Sequence, residues 1–334
     1  MEICYLLAFP DSEDSTPQPA EQIKGLKDAP YFQPIDIDLV TLGDETIVIE
    51  GYAVSVVRQR YDGRVQMVEC HYDLRDPFAA PILPEQTKIQ SALQSRYIPE
   101  VFRKNGLFEE YWILLIQDAR PTPDKWIEKN NFAIANFIRS QREVFERQEV
   151  NEILSSRARY SAKELTLVDW EGAVIIEPLA DYQSDIALLK IGNYQLLRYR
   201  MLDESIDEML DKINERFFQT KRPRATRGLI RQIAEHKLEV MLDFERAEQN
   251  LLLIGDWYTA KLYEVIQNEF YLKDWKESVR TKLDNLENIV ETIQDNFALS
   301  FETLMERLQM LGWVLLLLGY IYLYLLDAGL IKIP

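Results

Sequence analysis

The sequence predicts an α+β (or α/β) N-terminal domain, followed by a long-helix antiparallel bundle or coiled-coil stalk and one C-terminal transmembrane helix. Three observations carry this reading. Residues 1–178 alternate between short apolar runs and helical patterns, residues 179–309 keep a three-and-four apolar spacing over long stretches, and residues 310–332 are almost continuously apolar. Strands interleaved with helices define a mixed domain, whereas sustained seam spacing defines helices that pack along their length.

Within the first domain, Ile3 to Phe9, Thr46 to Val57 and Tyr111 to Ile116 read as strands. Asp62-Gly63, between Val54–Tyr61 and Val65–Tyr72, reads as a hairpin turn, and so does Glu171-Gly172 between Leu165–Trp170 and Ala173–Ile176. Pro84 to Phe102 reads as a helix. Another begins at Thr122-Pro123-Asp124, where a capping hydroxyl precedes proline at the first helical position; Ile127, Ile134, Phe137 and Ile138 then recur at helical spacing.

After Pro178 the pattern is helical. Leu189, Gly192, Leu196, Tyr199, Asp203, Ile206, Leu210, Ile213 and Phe217 form one seam on a helix spanning Asp181 to Phe218. Ile230, Ile233, Lys237, Val240, Phe244, Ala247, Leu251 and Ile254 form a second, up to Gly255-Asp256. An amphipathic stretch, Trp257 to Tyr271, follows. The last helix carries Val279, Leu283, Leu286, Val290, Ile293 and Phe297, then slips by one residue at Phe301, as a stutter does. Lys237 at a seam position demands a buried partner, and Asp203 is a candidate for that pairing.

The membrane helix is read from Leu311 to Ile331, whose first 16 residues, Leu311 to Leu326, carry no charge. At about 1.5 Å per residue this segment matches the roughly 30 Å hydrocarbon core of a bilayer. Trp313 sits at one boundary, Gly312 and Gly319 are seven apart, and Tyr320 and Tyr324 share a side, a pattern that permits close helix approach and self-association. If the stalk helices alternate in direction, the connection Gln219 to Thr226 falls at the membrane end. Its Lys221, Arg222 and Arg224, with Arg227 beyond, would then meet lipid headgroups or another anionic partner, at about 1 kcal/mol per basic residue.

Charge and cysteine content narrow the classes. Fifty-five acidic residues against 38 basic give a net charge of −17, which opposes long-range attraction to nucleic acid. Cys4 and Cys70 are the only cysteines and do not make a disulfide framework. The start, MEICYLLAFPDSED, lacks the basic region and cleavage site of an export signal, so the expected location is a membrane, single-pass, with the N-terminal bulk in the cytoplasm.

Catalytic motifs are missing. His71 and His236 are the only histidines, neither in a metal-ligand spacing, and no GxSxG, GxxxxGK[ST] or GxGxxG occurs. Asp203, Asp207 and Asp211 share one helical side but lack the loop of a calcium site, so they read as a solvated acidic face. Carboxylates such as Asp36, Asp38 and Asp44 need no motif, and a pocket with several convergent carboxylates would favour an enzyme. No cofactor and no metal is expected from the residues.

Two blocks, LTLVDWEGAVIIEP and DIALLKIGNYQLLRYRMLD, precede a long coiled-coil helix entering a terminal apolar span. Over Ser161 to Leu326 this resembles uncharacterised bacterial inner-membrane proteins and, more distantly, the required-for-meiotic-nuclear-division family. The family's Leu-Glu-Trp entry to the span stands here as Leu311-Gly312-Trp313. The resemblance implies a membrane-anchored scaffold and supplies no catalytic residue. CorA-type magnesium channels share the arrangement, but their Gly-Met-Asn signature and second span are absent. The expectation is therefore a tail-anchored, non-enzymatic scaffold or adaptor with an unknown protein partner and self-association through stalk and span. The alternatives are a subunit of an oligomeric channel or transporter and a membrane-tethered enzyme with an acidic site.

Overall fold

The computed structural model describes residues 1–11, 38–78, 82–140, 145–215, individual positions between 231 and 245, and 257–327. Eight strands among these form one sheet in the order β2-β3-β4-β1-β5-β8-β7-β6. They are β1 (Glu2–Pro10), β2 (Leu39–Ile49), β3 (Tyr52–Tyr61), β4 (Val65–Asp73), β5 (Glu109–Ile116), β6 (Arg157–Ala158), β7 (Leu165–Val168) and β8 (Gly172–Ile176). All neighbours are antiparallel except β5 and β8, which run parallel with Trp112 opposite Gly172. The N-terminal strand β1 is central, buried on both faces, which is why EICYLLAFP is apolar almost throughout rather than alternating.

The helices are α1 (Ile82–Tyr97), α2 (Glu100–Asn105), α3 (Pro123–Ile138), α4 (Arg147–Ile153), α5 (Gln183–Ile213), α6 (Trp257–Glu269) and α7 (Leu272–Asp327). Residues of α1, α3 and α4 cover one face of the sheet, where Ile3, Tyr5, Leu7 and Phe9 pack with Leu93, Ile134, Phe137 and Val150. The start of α5 and α6 lie on the other. There Lys190 bonds to Glu69 of β4, and Tyr258 and Asp185 meet Thr166 of β7.

Several expected elements differ in detail. Thr46 to Val57 is not one strand: the chain reverses at Glu50-Gly51, whose φ angles of 50° and 86° are those of a two-residue hairpin turn, and Gly51 meets that demand at no steric cost. High β-propensity on both sides hides the break. The helix read over Pro84 to Phe102 is two helices, because Pro99 disfavours helical backbone at Ile98. The Asp62-Gly63 hairpin forms as expected; the second hairpin forms too, but its turn centres on Trp170-Glu171 and Gly172 already belongs to β8. Thr122 caps α3 by accepting from the Lys125 N–H at 3.4 Å, with Pro123 at the first position.

Two compact units are present: Met1–Ser205 with Met241–Arg280, and Ile206–Val240 with Thr281–Pro334. In the first, the upper seam of α5 is domain core rather than stalk: Leu189, Leu196 and Tyr199 are buried, and a Cβ at Gly192 would stand 2.5 Å from the Ile266 side chain and 3.1 Å from the Phe270 ring. Helix α5 crosses the sheet and contacts α6 there only because residue 192 has no side chain. In the second unit, Leu283, Leu286 and Val290 of α7 are buried in a four-and-three stripe, while the side chains of Ile293 and Phe297 lie outside the described residues. Of the three acidic residues read as one side of the helix, Asp207 and Asp211 are exposed, with Asp207 bonded to Lys282 at 2.8 Å, whereas Asp203 is half-buried. Helix α7 continues without a break through Phe297 to Phe301.

Candidate functional site

The expected lipid-facing residues Lys221, Arg222, Arg224 and Arg227 lie outside the described residues, as do Lys237 and His236, so the Asp203–Lys237 pairing does too. The apolar stretch is in place on α7. Met305–Leu325 is long and apolar enough to cross a membrane, starting six residues before the expected Leu311, and none of it is buried. Leu311, Trp313 and Tyr320 are exposed, and nothing lies within 4 Å of where a Cβ on Gly312 or Gly319 would stand. Leu326 is helical, but its side chain is not described.

A buried charge network occupies the α5 face of the sheet. On β4, Glu69 and His71 are two apart and project to one side; β1 brings Cys4 opposite His71 and Glu2 opposite Asp73. The Lys190 ammonium, on α5, donates to Glu69 at 2.7 Å and to Gln59 at 2.8 Å. The other Glu69 oxygen meets His71 Nε2 at 2.7 Å, and His71 Nδ1 meets Glu2 at 2.7 Å. Burial alone would raise the Glu69 carboxyl, but His71 and Lys190 outweigh it and hold it down at about 2. Burial likewise works against the charged form of His71, and the Glu69 and Glu2 carboxylates reverse that, raising it above its ordinary value.

Cys4, Glu69 and His71 offer ligand atoms within 4.8 Å of one another, as a metal centre would. The donor set fits poorly. At metal–ligand bonds of about 2.0–2.1 Å, tetrahedral nitrogen and oxygen ligands stand about 3.3 Å apart, whereas Glu69 and His71 are 2.7 Å apart and share a hydrogen bond. Lys190 already supplies the positive charge. Sequence motifs had no purchase on this cluster; the usable signals were a lysine inside the apolar run ALLKIG and the alternation Glu69-Cys70-His71 in a buried strand.

A cleft of about 370 Å³ opens at the N-terminal ends of β5 and β8, within the first unit. Glu109, Glu110 and Glu171 line it with Phe108, Trp170 and Phe270. The parallel pairing of β5 with β8 creates it: the close approach at Gly172, where a Cβ would meet the Trp112 carbonyl oxygen at 2.9 Å, brings the Glu171 turn beside the start of β5. Arg200 pairs with Glu109, and Arg139 with Asp169 at 2.8 Å behind the wall. One Glu110 oxygen, Oε2, accepts from Tyr5, from Gln90 and, at 2.6 Å, from Gln94. Its Oε1, and the Glu171 carboxylate, accept from no side chain among the described residues. Burial raises the Glu171 carboxyl; Arg139 opposes this, and Asp169 and Glu110 add to it. Burial also raises Glu109, against Arg200. Of the expected carboxylates, Asp38 and Asp44 are on or beside β2 and do not line the cleft, and Asp36 lies outside the described residues.

Fold and site together define a class: a mixed-sheet domain between two helical layers, carrying an acidic and aromatic cleft, followed in the chain by a long helix with an apolar end. Residues 17–182 match the family described as "Uncharacterized protein MJ0711, N-terminal domain". The chain is 23% identical over 199 residues to uncharacterized protein MJ0711 of Methanocaldococcus jannaschii, covering 60% of this chain and 62% of that protein, so it spans less than two thirds of that relative's length. No solved structure matches.

Proposed function

We propose that the protein is a tail-anchored membrane scaffold or adaptor, in which the Met305–Leu325 segment crosses lipid and the sheet domain meets a partner in the aqueous phase. One observation carries the reading: within a single helix, α7, the four-and-three stripe Leu283, Leu286 and Val290 is buried, whereas Leu311, Trp313, Leu316 and Leu323 are all exposed. An apolar patch of that extent is not left to water in a soluble monomer. The resemblance of Ser161 to Leu326 to bacterial inner-membrane and meiotic-nuclear-division proteins agrees with it, and the reading includes an orientation with the sheet domain in the cytoplasm.

The test is flotation of the full-length protein with vesicles, followed by alkaline extraction. The protein stays with lipid, and replacing both Leu315 and Leu318 by lysine releases it, since each lysine near a span's centre costs about 2.5–3.5 kcal/mol. A wild-type protein that remains soluble without detergent overturns the reading. A second reading, that the domain also handles a small ligand, is favoured by the carboxylates converging on the cleft.

A further inference from the structure

We propose that the cleft at the heads of β5 and β8 binds a small organic amine, its ammonium group held by Glu110 and Glu171 against aromatic walls from Phe108, Trp170 and Phe270.

Volume, walls and charge point to the same class of ligand. A cavity of about 370 Å³ is far larger than a bare ion needs and lies in the range of small-molecule sites. Its lining includes the rings of Phe108, Trp170 and the deeply buried Phe270; aromatic rings attract ammonium groups and add nothing for a hydrated divalent cation that seeks only oxygen. Charge decides against an anion. Arg200 pairs with Glu109 and Arg139 with Asp169, leaving Glu110 and Glu171 lining the cleft with no basic side chain bonded to them among the described residues, though Arg139 also acts on Glu171 from a distance.

The site is also built in advance. Tyr5, Gln90 and Gln94 come from β1 and α1 to bind the same Glu110 oxygen, which fixes the carboxylate and leaves Oε1 with no side-chain donor among the described residues. Trp170 belongs to the β7–β8 turn and rests edge-on against Phe270 at 6.2 Å between ring centres, so the wall is held from α6's end as well as from the sheet. An amine with N–H groups satisfies both open carboxylates and relieves their mutual repulsion. A fully methylated ammonium satisfies only the rings.

The experiment titrates the full-length, detergent-solubilised protein with spermidine, following tryptophan fluorescence and, independently, heat. Expected is saturable one-site binding, weakened about tenfold or more in Glu171→Gln, because a charge-assisted hydrogen bond is lost. The same neutralisation at the exposed surface, Glu100→Gln, leaves the affinity unchanged. Tetramethylammonium binds more weakly than spermidine, and magnesium at matched ionic strength does not displace it. Three results overturn the proposal: no saturable binding, equal loss in Glu171→Gln and Glu100→Gln, or displacement by magnesium as effective as by spermidine itself. Circular dichroism of Glu171→Gln is expected to be that of wild type, as this half-buried carboxylate bonds to no described side chain.

Discussion

The two faces of the sheet are filled by different chemistry. Under α1, α3 and α4 the interior is apolar, with Ile3, Leu7, Phe9, Leu93, Ile134 and Phe137 in mutual contact. Under α5 and α6 it is threaded with polar groups: Glu69 with Lys190 and His71, Asp185 with Thr166 and Tyr258, and Gln195 with Tyr263 at 2.6 Å. An apolar face accepts any helix placement that fills its volume, since burial has no direction. The polar face accepts one, because a slip of α5 by a single turn would orphan Lys190 and Asp185 inside the protein. Buried ion pairs of this kind add little net stability over apolar isosteres but impose a large penalty on wrong arrangements.

The largest test of that contrast is Lys190→Met. Leaving Glu69 charged and half its partners gone costs about 3–5 kcal/mol, and pairing the change with Glu69→Leu restores much of it. Urea unfolding monitored by fluorescence measures both; a loss below about 1 kcal/mol in the single variant erases the difference between the faces. On the apolar side, Leu93→Ala costs about 2–5 kcal/mol through its cavity. Combined with Lys190→Met, the two effects add to within about 0.5 kcal/mol if the sheet insulates one face from the other. Gly192→Ala, where α5 meets Ile266 and Phe270, costs about 1–3 kcal/mol by overpacking.

A pH series sharpens the comparison further. His71 is raised in the folded chain, so its contribution to stability is complete below the unfolded value of 6.5 and is lost as pH climbs through the raised folded value. Glu69 behaves oppositely: held at about 2, it contributes fully above 4.5 and loses that as the solution is acidified toward 2. Thermal unfolding of wild type therefore falls on the alkaline side of 6.5, and His71→Gln flattens that limb. No matching limb arises from changes on the apolar face. The smallest effect is Thr122→Ala, which removes the cap of α3 and costs about 1 kcal/mol at any pH.

Local signals made some of this legible in advance. Asp62-Gly63 and Thr122-Pro123 each specify backbone geometry within three residues, and each forms as the sequence implies, while the hairpin read at Glu171-Gly172 turns one residue earlier, at Trp170-Glu171. The stripe Leu283, Leu286 and Val290 was equally plain. What stayed hidden depends on partners distant in the chain. Nothing in Leu189, Gly192 and Leu196 says whether a seam meets another helix or a sheet, and the upper part of α5 meets the sheet. The parallel neighbours β5 and β8 are about 60 residues apart, and the cleft exists only because they meet. His71 looked solitary because only strand alternation puts Glu69 on its side of β4, and its other partner, Glu2, reaches it from the neighbouring strand β1.

Cys4 and Cys70 are fully buried on adjacent strands and project from opposite sides of them, and burial, followed by the nearby Glu69 charge, pushes both thiols up. Alkylating reagents attack the thiolate, so both sulfurs are silent toward maleimides while the fold is intact. A cysteine introduced at an exposed α7 position such as Leu315 would then be the single reactive handle on a wild-type background. Whether that handle is shielded by vesicles or labelled in water becomes a direct reading of its surroundings, with no need to remove either native cysteine first.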